Sequence, residues 1–117
     1  MLNSYKELIV WRKSFELAKK IYKSTENFPK SEIYGLTSQI RRASVSIPSN
    51  IAEGFVRKHR KEFSQFISIA FGSGAELETQ LLLSKELKFI TNQQFNELNY
   101  LLEEVMKMLN SLKSKLN

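Results

Sequence analysis

Between Gln39 and Gly54 the chain reads Gln-Ile-Arg-Arg-Ala-Ser-Val-Ser-Ile-Pro-Ser-Asn-Ile-Ala-Glu-Gly, a helical pattern with two apolar ridges instead of one. On a helical wheel Leu36, Ile40, Ala43, Ile47 and Ile51 gather on one side, and Val45, Ala52 and Val56 gather nearly opposite. A polar band of Gln39, Arg42, Ser46, Asn50, Glu53 and Arg57 runs between them. A surface helix needs only one apolar stripe, facing its core. A helix with two must meet more than one partner, and in a four-helix bundle no helix is central. This stretch therefore predicts a bundle whose subunits associate. The first helix repeats the signal: a second ridge of Val10, Leu17 and Ile21 lies away from a core face of Leu8, Trp11, Phe15, Ala18 and Tyr22.

Four helices follow from periodicity and punctuation. The first pattern stops near Asn27-Phe28-Pro29, where proline and the residue it constrains end a helix. Ser31 followed by Glu32 reads as the next N-terminus. The apolar stripe then stays in phase across Pro48, which predicts one kinked helix, with Ser44, Ser46 and Ser49 available to the carbonyl that proline leaves free. After the turn at Arg57-Lys58-His59-Arg60-Lys61, a third face is written by Phe63, Phe66, Ile67, Ala70, Gly74, Leu77 and Leu81. Gly72 and Gly74 each cost up to ~1 kcal/mol in a helix interior, which close approach of a neighbouring helix would offset. Thr91 with Gln94 matches a capping box, and Phe95, Leu98, Leu102, Val105, Leu109, Leu112 and Leu116 then form a coiled-coil-like seam. No period-two strand pattern competes. The expected fold is all-α: a single-domain antiparallel up-down-up-down four-helix bundle over residues 1–117, with helices near 4–25, 32–57, 60–87 and 92–115.

Charge is localised. Residues 41–61 hold Arg41, Arg42, Arg57, Lys58, Arg60 and Lys61 against Glu53 alone, whereas the rest of the chain holds 12 basic and 11 acidic groups. In an up-down bundle the second turn shares an end with both termini. Arg57, Lys58, Arg60 and Lys61 should then meet Lys113 and Lys115 as a phosphate-binding surface. Ring assembly would multiply that surface into a crown. No aromatic residue interleaves the cluster, so contact with RNA or DNA would be to the backbone, without sequence preference. The bland alternative is a solvated basic turn.

Catalytic constellations are missing. The chain has no cysteine and no aspartate, and His59 is its one histidine. Thiolate or histidine zinc sites, paired Glu-x-x-His di-iron sites and a Ser-His-Asp triad all fail on count. Glu103 and Glu104 diverge on a helix, as do Glu76 and Glu78. Gly72-Ser73-Gly74 lacks the Gly-Lys-Ser/Thr and the preceding strand of a phosphate loop. The expectation is a non-enzyme without metal or cofactor. No apolar run exceeds four residues, so no membrane span is expected, and the lack of cysteine fits a cytoplasmic protein. The polar band reads first as a buried hydrogen-bonded lattice of Gln39, Arg42, Ser46, Asn50 and Glu53, with Arg42 and Arg57 both in reach of Glu53. Its other reading is a ligand pocket.

The segment Tyr34-Gly-Leu-Thr-Ser-Gln-Ile-Arg-Arg-Ala-Ser-Val-Ser-Ile-Pro-Ser-Asn-Ile-Ala-Glu-Gly54 resembles the four-helix-bundle proteins named for intervening sequences in 23S ribosomal RNA genes, also labelled the S23 ribosomal protein family. The resemblance extends to Leu8-Ile9-Val10-Trp11, Arg57, Phe66, Ile69, Ala70, Gly72-Ser73 and Glu76-Leu77-Glu78-Thr79-Gln80-Leu81. It implies pentameric rings of antiparallel bundles, no established catalytic residue and an undefined molecular role. A related bundle serves retroelement reverse transcriptases through a basic ring surface. Gly74 stands where the family often has a bulkier residue, which would loosen packing there. Two functions follow as expectations. One is a homo-oligomeric adaptor on nucleic-acid backbone; the other is a protein-only scaffold for an acidic or helical partner.

Overall fold

The computed structural model describes residues 2–117. Four helices carry the chain: α1 (Ile9–Ser24), α2 (Leu36–Val56), α3 (Arg60–Glu86) and α4 (Asn92–Leu116), with short 3-10 turns at Tyr5–Glu7 and Lys30–Glu32. Among the described residues there is no strand. α1 packs on α2 and α4, and α3 packs on the same two, while α1 and α3 stand diagonally, with no Cα atoms within 8 Å of each other. Contacts pair Ser46 with Ser73, Lys13 with Glu104, and Arg60 with Leu116. The result is a rod of 44 × 24 × 20 Å.

One core runs along it. Ile40, Ile47 and Ile51 of α2 meet Ile67, Leu77 and Leu81 of α3, and Leu98, Leu102, Val105 and Leu109 of α4. From α1 the core takes Val10, Leu17 and Ile21, all buried, whereas Phe15 and Tyr22 are 47% and 43% exposed. The expected outer ridge of α1 is thus buried, and of its expected core face Ala18 is buried and Leu8 and Trp11 pack against the core, while Phe15 and Tyr22 are exposed. The aromatic residues lie on its flank, where Trp11 stacks on Phe15 at 5.0 Å and Tyr5 meets Trp11 edge-on at 5.3 Å. The α2 ridges fall as expected, with the isoleucines buried and Val45 and Val56 exposed.

Two boundaries differ from expectation. The first helix starts at Ile9, because Leu8 is extended (φ −73°, ψ 127°) and separates it from the Ser4-capped turn. The second starts at Leu36 rather than near Glu32, since residues 30–32 close a separate 3-10 turn. Glu32 still serves that helix: its Oε1 accepts from the Leu36 N–H at 3.1 Å, supplying the acceptor that exposed helix-start donors need. Pro48 sits inside a continuous α2, but the nearby serines bond elsewhere: Ser44 Oγ donates to the Arg41 carbonyl, and Ser46 Oγ pairs with Ser73 Oγ. The Thr91–Gln94 capping box forms in both directions, at 3.0 and 2.8 Å.

The glycines divide. A Cβ at Gly54 would stand 2.6 Å from Phe66 Cβ, so this glycine lets α2 and α3 approach. At Gly74 the Met106 side chain already occupies the space, so the expected looseness is absent. Gly72, expected to be a close-approach site as well, faces open space within the subunit.

Candidate nucleic-acid interface

Lys58 ends the turn between α2 and α3 in the left-handed region (φ 61°), which reverses the chain and leaves its side chain in solvent beside exposed Arg60 and Lys61. Arg60 opens α3 and reaches across to the last turn of α4. Its Nε donates to the Leu116 carbonyl at 3.1 Å, and its Nη2 donates to the Lys115 carbonyl. Those carbonyls lack intrahelical donors, and a guanidinium there also meets the negative end of the helix dipole. Ser64 Oγ adds a bond to Asn117 Oδ1 at 2.9 Å. The second turn and the C-terminal end of α4 are thereby brought together.

Arg57 is differently employed. It pairs with Glu53 at 3.0 Å and with Glu62 at 3.8 Å, and its guanidinium lies 5.1 Å from the Phe66 ring centre. Arg57 and Arg60 thus work within the fold, and the cations left to meet a ligand are Lys58, Lys61, Lys113 and Lys115. Arg41 is a third structural arginine, and sequence reasoning counted it only as charge. Its Nε donates to Thr25 Oγ1 at 2.8 Å, its Nη2 to the Tyr22 carbonyl at 3.3 Å, and it lies 4.7 Å from the Tyr22 ring centre. It closes the end of α1 as Arg60 closes the end of α4. The available signal was position: each arginine stands early in the helix that faces the final turn of its neighbour.

The polar band of α2 is not the buried lattice expected. Gln39, Arg42 and Glu53 are exposed, and Ser46 and Asn50 are half-buried. Glu53 bonds Arg57, i to i+4 on the same helix, and Arg42 makes no ion pair among the described residues. Asn50 Nδ2 donates to the Ser46 carbonyl at 2.8 Å and to Ser46 Oγ at 2.9 Å, and Ser46 reaches Ser73. What remains is a polar groove of about 460 Å³ between α2 and α3, lined by Tyr34, Gln39, Arg42, Ser46 and Glu76 among others. Among the described residues, no group of His and Glu side chains gathers closely enough to hold a metal ion, and no helix is long and apolar enough to cross a membrane.

No curated protein matches the chain. Among solved structures it is similar to the crystal structure of a protein of unknown function from the S23 ribosomal protein family of Bacteroides thetaiotaomicron. The identity is 30%, the match covers 90% of this chain and 98% of that one, and the TM-score is 0.81. The family model described as 23S rRNA-intervening sequence protein matches residues 6–111. With the four-helix fold and the Tyr34–Gly54 motif in place, the chain belongs to the 23S rRNA-intervening sequence protein family.

Proposed function

We propose that the protein is a non-catalytic, cytoplasmic homo-oligomeric adaptor, built as an antiparallel up-down-up-down bundle, that contacts the phosphate backbone of RNA or DNA through one end of the rod. The ring form, with five subunits, follows the family resemblance. One observation carries the nucleic-acid reading. In that arrangement the half built from residues 2–16, 47–73 and 105–117 holds ten basic and four acidic groups, and the other half holds eight of each. The entire net charge of +6 belongs to the half that contains Lys58, Lys61, Lys113 and Lys115. Arrayed in a ring, individually weak phosphate contacts add as avidity.

Fluorescence anisotropy with labelled single- and double-stranded RNA and DNA at two salt concentrations tests this. Changing Lys58, Lys61, Lys113 and Lys115 to Gln spares Arg57 and Arg60, so the fold is untouched. Affinity should fall by at least about tenfold at ~50 mM salt, with a flatter salt dependence. The Lys20 and Lys30 to Gln variant, in the other half and outside the apolar strips of the surface, should lose much less. No binding by the parent, or equal losses in the two variants, sinks the reading. A second reading, a protein-only scaffold, draws on the internal employment of Arg41, Arg57 and Arg60, which removes half of the six local basic groups from ligand contact. It predicts capture of an acidic or helical protein with no nucleic-acid affinity.

A further inference from the structure

Among the exposed apolar side chains of one subunit two strips stand on either side of the polar band of α2, while Phe71, Leu82 and Tyr100 lie apart from both. The first follows the seam of α1 and α2: Phe15 and Tyr22, with Val45 and Val56 alongside and Trp11 stacked behind. At Phe15, Ala18 and Tyr22 the surface is hollowed to about 510 Å³, with Lys19, Lys23 and Glu26 on the rim. Exposed Arg12 extends the basic border. The second strip follows the outer side of α3. Ile69, Leu83 and Leu87 are 52%, 48% and 49% exposed, and Glu62 and Glu76 are the charges beside them. From Glu62 to Ser84 this helix carries no basic residue at all.

Gly72 lies in the second strip, one turn from Ile69 and from Glu76, with nothing within 4 Å of where a Cβ would stand. Within a subunit its helix-breaking cost has no packing return, unlike that of Gly54 against Phe66 or Gly74 against Met106. A glycine with open space above it, one turn from exposed Ile69 and with Leu83 further along the same face, suits the close approach of another helix.

We propose that the α1–α2 strip of one copy of this chain docks on the α3 strip of the next copy. Leucines of α3 enter the Phe15–Tyr22 hollow, and Gly72 gives the aromatic flank of α1 room to approach. The proposal rests on the homo-oligomer reading above and assigns its faces. Charge adds to shape: Arg12, Lys19 and Lys23 come opposite Glu62 and Glu76, and because Lys19 already pairs with Glu16 and Glu62 with Arg57, the charges fix orientation more than they add affinity. α1 and α3 stand at opposite corners of the bundle. The contact is therefore head-to-tail, which repeats from copy to copy rather than stopping at two, and gives the ring of the reading above where the rotation closes.

Two variants test it, read by light scattering at micromolar concentration, with circular dichroism to check helicity. Phe15→Glu spoils the first strip and Gly72→Arg spoils the second, where no neighbour in the subunit obstructs the new side chain. Each alone should run as a 13.6 kDa monomer. Mixed in equal amounts they should form a dimer and no more, because the intact α3 strip of one accepts the intact α1 strip of the other. Should Phe15→Glu lose helicity, Lys19→Glu with Lys23→Glu replaces it, and should dissociate the assembly at low salt by facing Glu62 and Glu76. Either variant keeping the parent's mass, or a mixture that stays monomeric, overturns the face assignment while the oligomer stands. A monomeric parent overturns both.

Discussion

Lys58 and Lys88 hold φ values of 61° and 63°, a region where a side chain crowds the backbone and glycine does not. At Lys88 the reason is visible: Phe89 N–H donates to the Ser84 carbonyl at 2.9 Å, and Lys88 N–H to the Lys85 carbonyl at 3.0 Å. That is the double bond of a Schellman stop, which calls for a left-handed residue just past the helix. Lys88→Gly should raise stability by about 1 kcal/mol, seen as a higher denaturant midpoint with unchanged slope. Glu53 gives the opposite kind of test. Because its pair with Arg57 is exposed on both sides, Glu53→Ala should cost less than ~1 kcal/mol in the isolated subunit. A loss of ~3 kcal/mol or more would mean that the band is buried after all. Neither residue was readable in the sequence. A lysine carries no mark of positive φ, and a Glu with arginines on either side, Arg42 and Arg57, has no local sign of which one it will choose.

Whole helices were far more legible than their edges. The coiled-coil seam of α4 and the in-phase stripe across Pro48 survive because each depends on many residues at once. The exposure of Phe15 and Tyr22 departs from the sequence pattern for a physical reason: aromatic rings make the heavier ridge, yet Trp11 and Phe15 shelter one another by stacking, and slimmer Leu17 and Ile21 fill the interior. The glycines give the element-level prediction. At Gly54 the obstacle is Phe66 Cβ, fixed to the backbone, so Gly54→Ala should push α2 and α3 apart and cost ~1–3 kcal/mol despite better helix propensity. At Gly74 the obstacle is the flexible end of Met106, which can rotate away, so Gly74→Ala should be close to neutral. Thermal melts of the two variants, compared at equal concentration, check the contrast. Equal losses at the two positions would contradict it.

For the molecule as a whole, the sequence carried the bundle class and the clustering of positive charge, since both follow from periodicity and helix count. It did not carry the division of labour within the cluster, where Arg41 and Arg60 close helix ends, Arg57 pairs with Glu53 and Glu62, and Lys58 and Lys61 stand in solvent. That division depends on which carbonyls of α1 and α4 come within reach, a matter of tertiary register. Assembly should appear in solution as one species well above 13.6 kDa. A further consequence lies in the pairing of elongated shape with one-sided charge. In the antiparallel arrangement proposed above, a rod 44 Å long and little more than 20 Å wide, with its excess charge in one half, would have a permanent electric moment along its length. Near a negatively charged plane such a body stands up instead of lying down. A layer adsorbed on anionic silica at low salt should therefore measure nearer the long dimension than the short ones by neutron reflectometry. Its exposed side would then be the neutral pole, so a second layer should find no electrostatic foothold, and coverage should stop at one molecule's height.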